Sequence, residues 1–303
     1  MGKNISLDNI NNKKVIKYTI DDIFHSFSHS KDEKEIYACH SNIKAFTILN
    51  FSSEKFLLIL SITKIIDKGQ GRLNKCIEIS NQNNKYLATA DSDNYIYIWN
   101  KEFVNGNLCL NKINTILFEV ETKDLLSVDN NYFIGSQPHE KTITFFNTNN
   151  FQVEKIMKDI NCRFTDNSLL LLKNYIIINC RKGIDVIDIK TKEIIQYIDL
   201  FYSQEIVSIN DKFFYLLTYS SYPKKKLKDI ENNDFYLGLR INKMEMIHGY
   251  FKENGFQDVY GGNFKNHLYL PSFTYFGAQL YIWDVHDYVL EEFNIMDKNF
   301  IES

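Results

Sequence analysis

YLATADSDNYIYIWN, residues 86–100, decides how the chain is read. A short apolar run, YLATA, meets the polar stretch Asp91-Ser92-Asp93-Asn94, and a second run, YIYIW, then closes on Trp99-Asn100. Asp and Asn bond their own backbone and tolerate left-handed conformations, so two β-prone runs around such a stretch read as a β-hairpin. The phrase recurs along the chain. First runs begin at Glu35, Tyr86, Tyr132, Tyr175, Phe213 and His267; second runs are IKAFTILN, YIYIWN, TITFFN, IDVID, DFYLGLRIN and QLYIWD. Most second runs end on a large apolar residue followed by Asn or Asp, at Asn50, Asn100, Asn147, Asp188, Asn242 and Asp284. From Asn50 to Asp284 is 234 residues over five intervals, about 47 per unit, slightly above the roughly 40 to 45 of a four-stranded propeller blade.

Each hairpin has companions. A third run follows, as in KFLLILS, QVEKIM, IIQYIDL and YVLEEF, and a fourth precedes, as in KCIEIS, DLLSV, SLLLL and EIVSI. The pattern predicts an all-β propeller of six or seven four-stranded blades, spanning about residues 14 to 293 within one domain of residues 1–303. KVIKYTI, residues 14–20, is a spare strand that either completes the outer edge of the last blade or belongs to a degenerate seventh.

Residues 86–100 and QLYIWDVHDYVLEEF, residues 279–293, resemble the WD-repeat β-propeller family in their strand, turn, strand and Trp-Asp ending. Trp99 and Trp283 stand at the family's Trp position, with Asp284 after the second; Leu49, Phe146 and Ile187 replace Trp in other units, and no Gly-His dipeptide opens a blade. The resemblance implies that Thr89, Asp93 and Trp99 occupy the places of a buried network of strand hydroxyl, turn carboxylate and indole N–H. It also implies a non-catalytic scaffold or adaptor that binds another protein or a peptide. The rival class is an enzyme or cofactor-binding propeller of the quinoprotein-like kind. The Trp-Asp-x-Arg signature of adaptor-docking propellers is absent, since Val285-His286 follows Trp283-Asp284.

Composition agrees with a folded, β-rich chain. Of 303 residues 44% are hydrophobic and 15% aromatic, with 12 Gly and 3 Pro, which excludes disordered, collagen-like and Pro-rich classes. Net charge is −3, and among 35 basic residues only Arg72, Arg163, Arg181 and Arg240 are arginine, so bidentate recognition of phosphate or guanine has little to work with and no nucleic-acid partner is expected. Cys39, Cys76, Cys109, Cys162 and Cys180 are odd in number and lack a Cys-x-x-Cys pair, which fits a reducing, cytoplasmic setting. The longest apolar run, Leu169 to Cys180, is broken by Lys173-Asn174 and is too short for a membrane helix. Gly2-Lys3-Asn4-Ile5-Ser6 fits the myristoylation pattern, the one route to a membrane in this sequence.

Candidate chemistry is sparse. His25, His29, Cys39 and His40 cluster in sequence, but Cys39 and His40 are adjacent and a strand points them to opposite faces, so no metal site is expected. GQG at 69–71 and YGG at 260–262 lack the strand-to-helix context of a phosphate loop, and no nucleophile elbow or His-Glu-x-x-His occurs. No catalytic residue and no cofactor is assigned. The insertion SYPKKKLKDIENND, residues 221–234, places Lys224, Lys225 and Lys226 in a charged loop, read as solvated and, in its functional alternative, as a docking loop.

Overall fold

Ile98 and Trp99 are neighbours on one strand, their side chains leave it on opposite faces, and both are buried. A sheet that is apolar on both faces needs a neighbour on each. This is the architecture of the computed structural model, which describes residues 5–10, 13–20, 24–32, 34–40, 43–51, 58–67, 72–104, 107–158, 160, 164–172, 174–180, 183–199, 205–208, 213–218, 236–242, 262–264, 267–274 and 277–283.

The chain opens with strands β1 (Ile5–Ile10) and β2 (Lys13–Ile20). Four antiparallel sheets of four strands follow in chain order within the compact unit Ile23–Ile206. The first contains β3 (Phe24–His29), β4 (Glu35–His40), β5 (Lys44–Phe51) and β6 (Leu58–Asp67). The second contains β7 (Leu73–Ser80), β8 (Lys85–Asp91), β9 (Tyr95–Val104) and β10 (Asn107–Leu117). The third contains β11 (Asp124–Ser127), β12 (Tyr132–Gln137), β13 (Thr142–Asn147) and β14 (Val153–Met157). The fourth contains β15 (Phe164–Leu172), β16 (Tyr175–Cys180), β17 (Gly183–Asp188) and β18 (Glu193–Asp199). The first strands β3, β7, β11 and β15 lie side by side, so the sheets stand next to one another like blades.

Alternation along the strands sends each residue to one seam or the other. Leu73, Cys76, Leu87, Tyr97 and Trp99 of the second sheet pack with Tyr37, Cys39, Phe46 and Ile48 of the first. Ile77, Ile79, Ala88, Ala90, Ile96 and Ile98 pack with Leu125, Phe133 and Phe146 of the third, where Phe133 and Phe146 stack with centroids 4.7 Å apart. Ile134, Ile143, Phe145 and Met157 then meet Leu169, Ile176, Ile178 and Ile187 of the fourth. Burying a side chain of this kind contributes about 1.5 to 3 kcal/mol, so these seams are the main source of cohesion.

The recurring Asn or Asp after the second run has a local cause. Asp188 Oδ1 accepts the N–H groups of Lys190 and Thr191 at 2.8 and 2.9 Å, while its carbonyl accepts Lys192 N–H at 2.8 Å. Asn147 repeats the device, its Oδ1 accepting Asn149 N–H and its carbonyl accepting Phe151 N–H, each at 2.8 Å. The chain reverses through left-handed residues, Phe151 at φ 57° and Lys192 at φ 54°. Asn100 and Asn50 act otherwise, because β9 and β5 run on past them.

The second unit, residues 1–22 and 207–303, is described through its strands. β22 (Gly262–Phe264), β23 (His267–Thr274) and β24 (Gly277–Trp283) are joined at the edge of β24 by β2 and then β1, in the order β1-β2-β24-β23-β22. The spare strand thus completes the last sheet, with Val15 opposite Trp283 and Ile20 opposite Ala278. A three-stranded sheet has the order β19 (Glu205–Ser208), β20 (Phe213–Thr218), β21 (Tyr236–Asn242).

Two expectations are corrected. Among the described residues four sheets have four strands, rather than six or seven, because the N-terminal hairpin brings one sheet to five and another has three. The runs at Phe213 and Tyr236 pair in parallel rather than as a hairpin. Parallel pairing needs a connection of a dozen or more residues, and residues 219–235 are long enough for one. The run YVLEEF lies outside the described residues.

Deleting residues 1–20 should expose the β24 edge, so amides of Gly277–Trp283 should exchange with deuterium faster than in the intact chain. Unchanged protection there would contradict the pairing of β2 with β24.

Candidate functional site

The densest polar chemistry lies in the seams of Ile23–Ile206, at the two ends of the sheets. Partners across the seams are one repeat apart in sequence, with separations of 45 to 50 residues for Asp124–Leu169, Asn74–Glu121, Lys31–Ser80, Lys44–Asp93 and Ser80–Asn130.

At one end Lys44, at the start of β5, reaches the turn between β8 and β9, with Nζ 3.2 Å from Asp91 Oδ2 and hydrogen-bonded to Asp93. Asp91 is fully buried: Oδ1 accepts the N–H groups of Asp93 and Tyr95, both at 2.9 Å, and Oδ2 accepts the Tyr97 hydroxyl at 3.1 Å. Burial works against the Lys44 ammonium, but its bonds to Asp93 and Asp91 outweigh that and hold it above the usual lysine range. Burial, with Asp91 next to it, pushes the Tyr97 phenol up to about 12.

Further along that end, Lys75 of β7 lies 3.6 Å from the buried Asp124 of β11. Asp124 also accepts Leu125 N–H at 2.9 Å and Leu169 N–H of β15 at 3.0 Å, so one carboxylate ties three sheets. Burial raises its pKa, opposed by Lys75 and the backbone N–H groups.

The opposite end holds a second cluster. Lys101 pairs with Glu35, and the Tyr37 hydroxyl lies 2.8 Å from Glu35 Oε2 and 3.2 Å from Glu78 Oε2. Lys85 Nζ reaches Glu78 at 3.4 Å and Asp32 at 3.6 Å. Burial first, then the two carboxylates, holds the Tyr37 phenol far above its ordinary value. Burial likewise pushes the Cys39 thiol up to about 12 and raises Cys76, which makes both poor nucleophiles at neutral pH.

Trp99 Nε1 donates to Thr89 Oγ1 at 3.0 Å, both side chains being buried. The Asp93 carboxylate instead pairs with Lys44, its side chain 51% exposed. Trp283 stands on β24 with its backbone opposite Val15 and Leu268. Asp284, Lys224, Lys225, Lys226 and Gly2 lie outside the described residues. His40 Nε2 lies 2.8 Å from Thr47 Oγ1 and His29 Nδ1 2.9 Å from Ser30 O. Among the described residues no group of three or more His, Cys, Asp or Glu is placed to hold a metal ion, and no helix is long and apolar enough to cross a membrane.

Sequence reasoning missed Lys44, Asp91, Glu35, Tyr37, Glu78, Lys101, Lys75 and Asp124. Charges placed about one repeat apart, such as Lys44 with Asp91 or Asp93 and Lys75 with Asp124, were the available signal.

These seams belong to an all-β propeller with four-stranded blades, and comparison with solved structures agrees. The chain is similar to the β-propeller domain of Cps50 (Swd1) from Myceliophteria thermophila, with TM-score 0.57 and 9% identity over 94% of this chain and 100% of that one. It is also similar to the WD40 domain of Pan2 from Neurospora crassa, with TM-score 0.51 and 10% identity over 92% of this chain and 87% of that one. The match to the WD40 domain of SCAP from fission yeast has TM-score 0.45 and 11% identity over 68% of this chain, and spans 58% of that domain's length. No protein-family model and no curated protein sequence matches the chain. The first two of these likenesses show a β-propeller fold, carried by a sequence far from those of the domains compared.

Asp91→Ala should cost about 3 to 5 kcal/mol in urea melts, because it strips a buried ammonium of a partner and leaves two turn N–H groups and a phenol without their acceptor. Asp93→Ala should cost about 1 kcal/mol or less, as partly exposed pairs do. The reverse order would show that the turn is held by the outer carboxylate.

Asp124 also sets a pH dependence. Its folded pKa lies above the unfolded value, so its contribution is full below about pH 4, the ordinary carboxylate value, and is lost as pH rises through the folded value. The stability advantage of the native chain over Asp124→Asn should shrink from acid toward neutral pH in urea melts. An advantage that grows with pH would mean that Lys75 and the N–H donors prevail over burial.

Proposed function

We propose that the chain is a non-catalytic protein-interaction scaffold or adaptor, folding as one cooperative domain and presenting the turn-bearing ends of its sheets to another protein or a peptide. The supporting observation is where the buried charge is spent. Glu35, Lys44, Glu78, Asp91 and Asp124 are each engaged by partners within or across the seams. Their charge holds the frame together instead of converging on an open site. The WD-repeat type of fold favours the same reading over a cofactor-binding propeller, although fold alone does not define function. The reading includes a cytoplasmic setting without a nucleic-acid partner, and Lys224, Lys225 and Lys226 as a docking loop. Thr89, Trp99 and Trp283 are proposed as structural positions within blades, with Asp93 and Asp284 marking their turns.

Two measurements test this. Elemental analysis and an absorbance spectrum of the purified chain should show no stoichiometric metal or chromophore, and finding either would replace the scaffold with the cofactor-binding class. Proximity labelling should recover a protein set from the native chain that is depleted from Lys224→Glu/Lys225→Glu/Lys226→Glu, with both chains melting alike. An identical set from both would remove the docking role from the loop.

A further inference from the structure

Every large apolar side chain left exposed among the described residues stands on the outer strand of a sheet, β6, β10, β14 or β18. Leu117 of β10 is the most exposed of them, at 65%. β10 is also the longest of these four strands, and β9 lies on one side of it while no described strand pairs with the other. The stretch INTILF at its end, residues 113–118, holds no charge, Gly or Pro, the composition of an edge that is open to another strand.

The backbone shows which groups this edge offers. Phe118 N–H donates to Asn94 O at 2.9 Å, so alternation turns the N–H and C=O of Ile116 inward to β9 and those of Thr115 and Leu117 outward. Thr115 N–H accordingly goes to the side chain next to it, Asn114 Oδ1, at 2.8 Å. A β-bulge at Ile113 interrupts the regular ladder, which confines the open edge to residues 114–118. Lys112, whose Nζ lies 5.3 Å from the Tyr97 ring centre, and Glu119 flank that edge, both exposed, basic at one end and acidic at the other.

We propose that this edge pairs with the same edge of a second copy of the chain, across a two-fold axis at Ile116. Antiparallel pairing then sets Thr115 opposite Leu117 of the second copy and the reverse, and each pair exchanges two N–H···O bonds in place of the local bond to Asn114. Thr115 and Leu117 leave β10 on the same face, so each exposed Leu117 packs against a threonine across the axis. The ends match as well, because Lys112 of one copy comes beside Glu119 of the other, twice. This self-complementarity selects both the occupant and the strand. β18 begins at Glu193 and ends at Asp199, so the same operation there would set acid against acid. β6 carries Lys64 and Asp67 towards the same end, and on β14 Glu154 and Lys155 are both engaged by Lys192. So short an edge buries less than the roughly 1,000 Å² of a firm interface, which makes the dimer a weak one that forms as concentration rises.

Sedimentation velocity of the intact chain from about 1 µM to about 1 mM should show a shift from monomer to dimer. Leu117→Lys should abolish the dimer and leave urea melts unchanged, since the side chain it replaces is exposed, while Ile195→Lys on β18 should leave the dimer intact. Lys112→Glu and Glu119→Lys should each weaken association severalfold, and the two together should restore it, because the exchange of charge is matched across the axis. A chain that stays monomeric throughout, its edge left to a peptide or another protein, would overturn the proposal. So would a dimer that persists in Leu117→Lys, that Ile195→Lys also abolishes, or that the double charge exchange fails to restore.

Discussion

Sheets that are apolar on both faces govern everything else in this protein. On β9 alone, Ile96 and Ile98 go to one seam and Tyr97 and Trp99 to the other, and all four are buried. A single such sheet in water would leave one face wet, and neither hydrogen bonding within the sheet nor turn chemistry offsets that cost. Stacking sheet upon sheet answers it, and the repeat then follows, because the same problem recurs about every 47 residues.

The buried charges make sense on that frame. Taking an ammonium and a carboxylate out of water costs several kcal/mol per ion before pairing, so pairs such as Lys101–Glu35 and Lys44–Asp91 are weak evidence for net stability. What they add is discrimination. An apolar face accepts any apolar face, whereas a buried Lys accepts only a seam that brings a carboxylate to the right end. Asp124 extends the device to three consecutive sheets through Lys75 and the Leu169 N–H.

Much of this frame is legible in the amino-acid sequence. Strand runs, turn residues and the recurring Asn or Asp junction are local features, written in periods of two and in side chains that bond their own backbone, as Asn147 and Asp188 do. The pairing of KVIKYTI with the last hairpin is one of two alternatives that the sequence offers, since a spare strand and an open sheet edge invite each other. The parallel return of β21 is not legible there, because run composition carries no direction.

What the sequence by itself determined is the position of most strand runs and their period, since these follow from short apolar runs and turn chemistry within a few residues. Which charges meet was decided only by tertiary structure. Asp91 and Asp93 stand two residues apart in the same turn, and nothing local says that one is buried beneath Tyr97 while the other stays half in water beside Lys44. Lys31 and Lys34 share one loop, yet Lys31 meets Glu78 and Ser80 of the next sheet while the Lys34 N–H stays on Ser30 Oγ. Such differences depend on atoms a full repeat away, which no local pattern encodes.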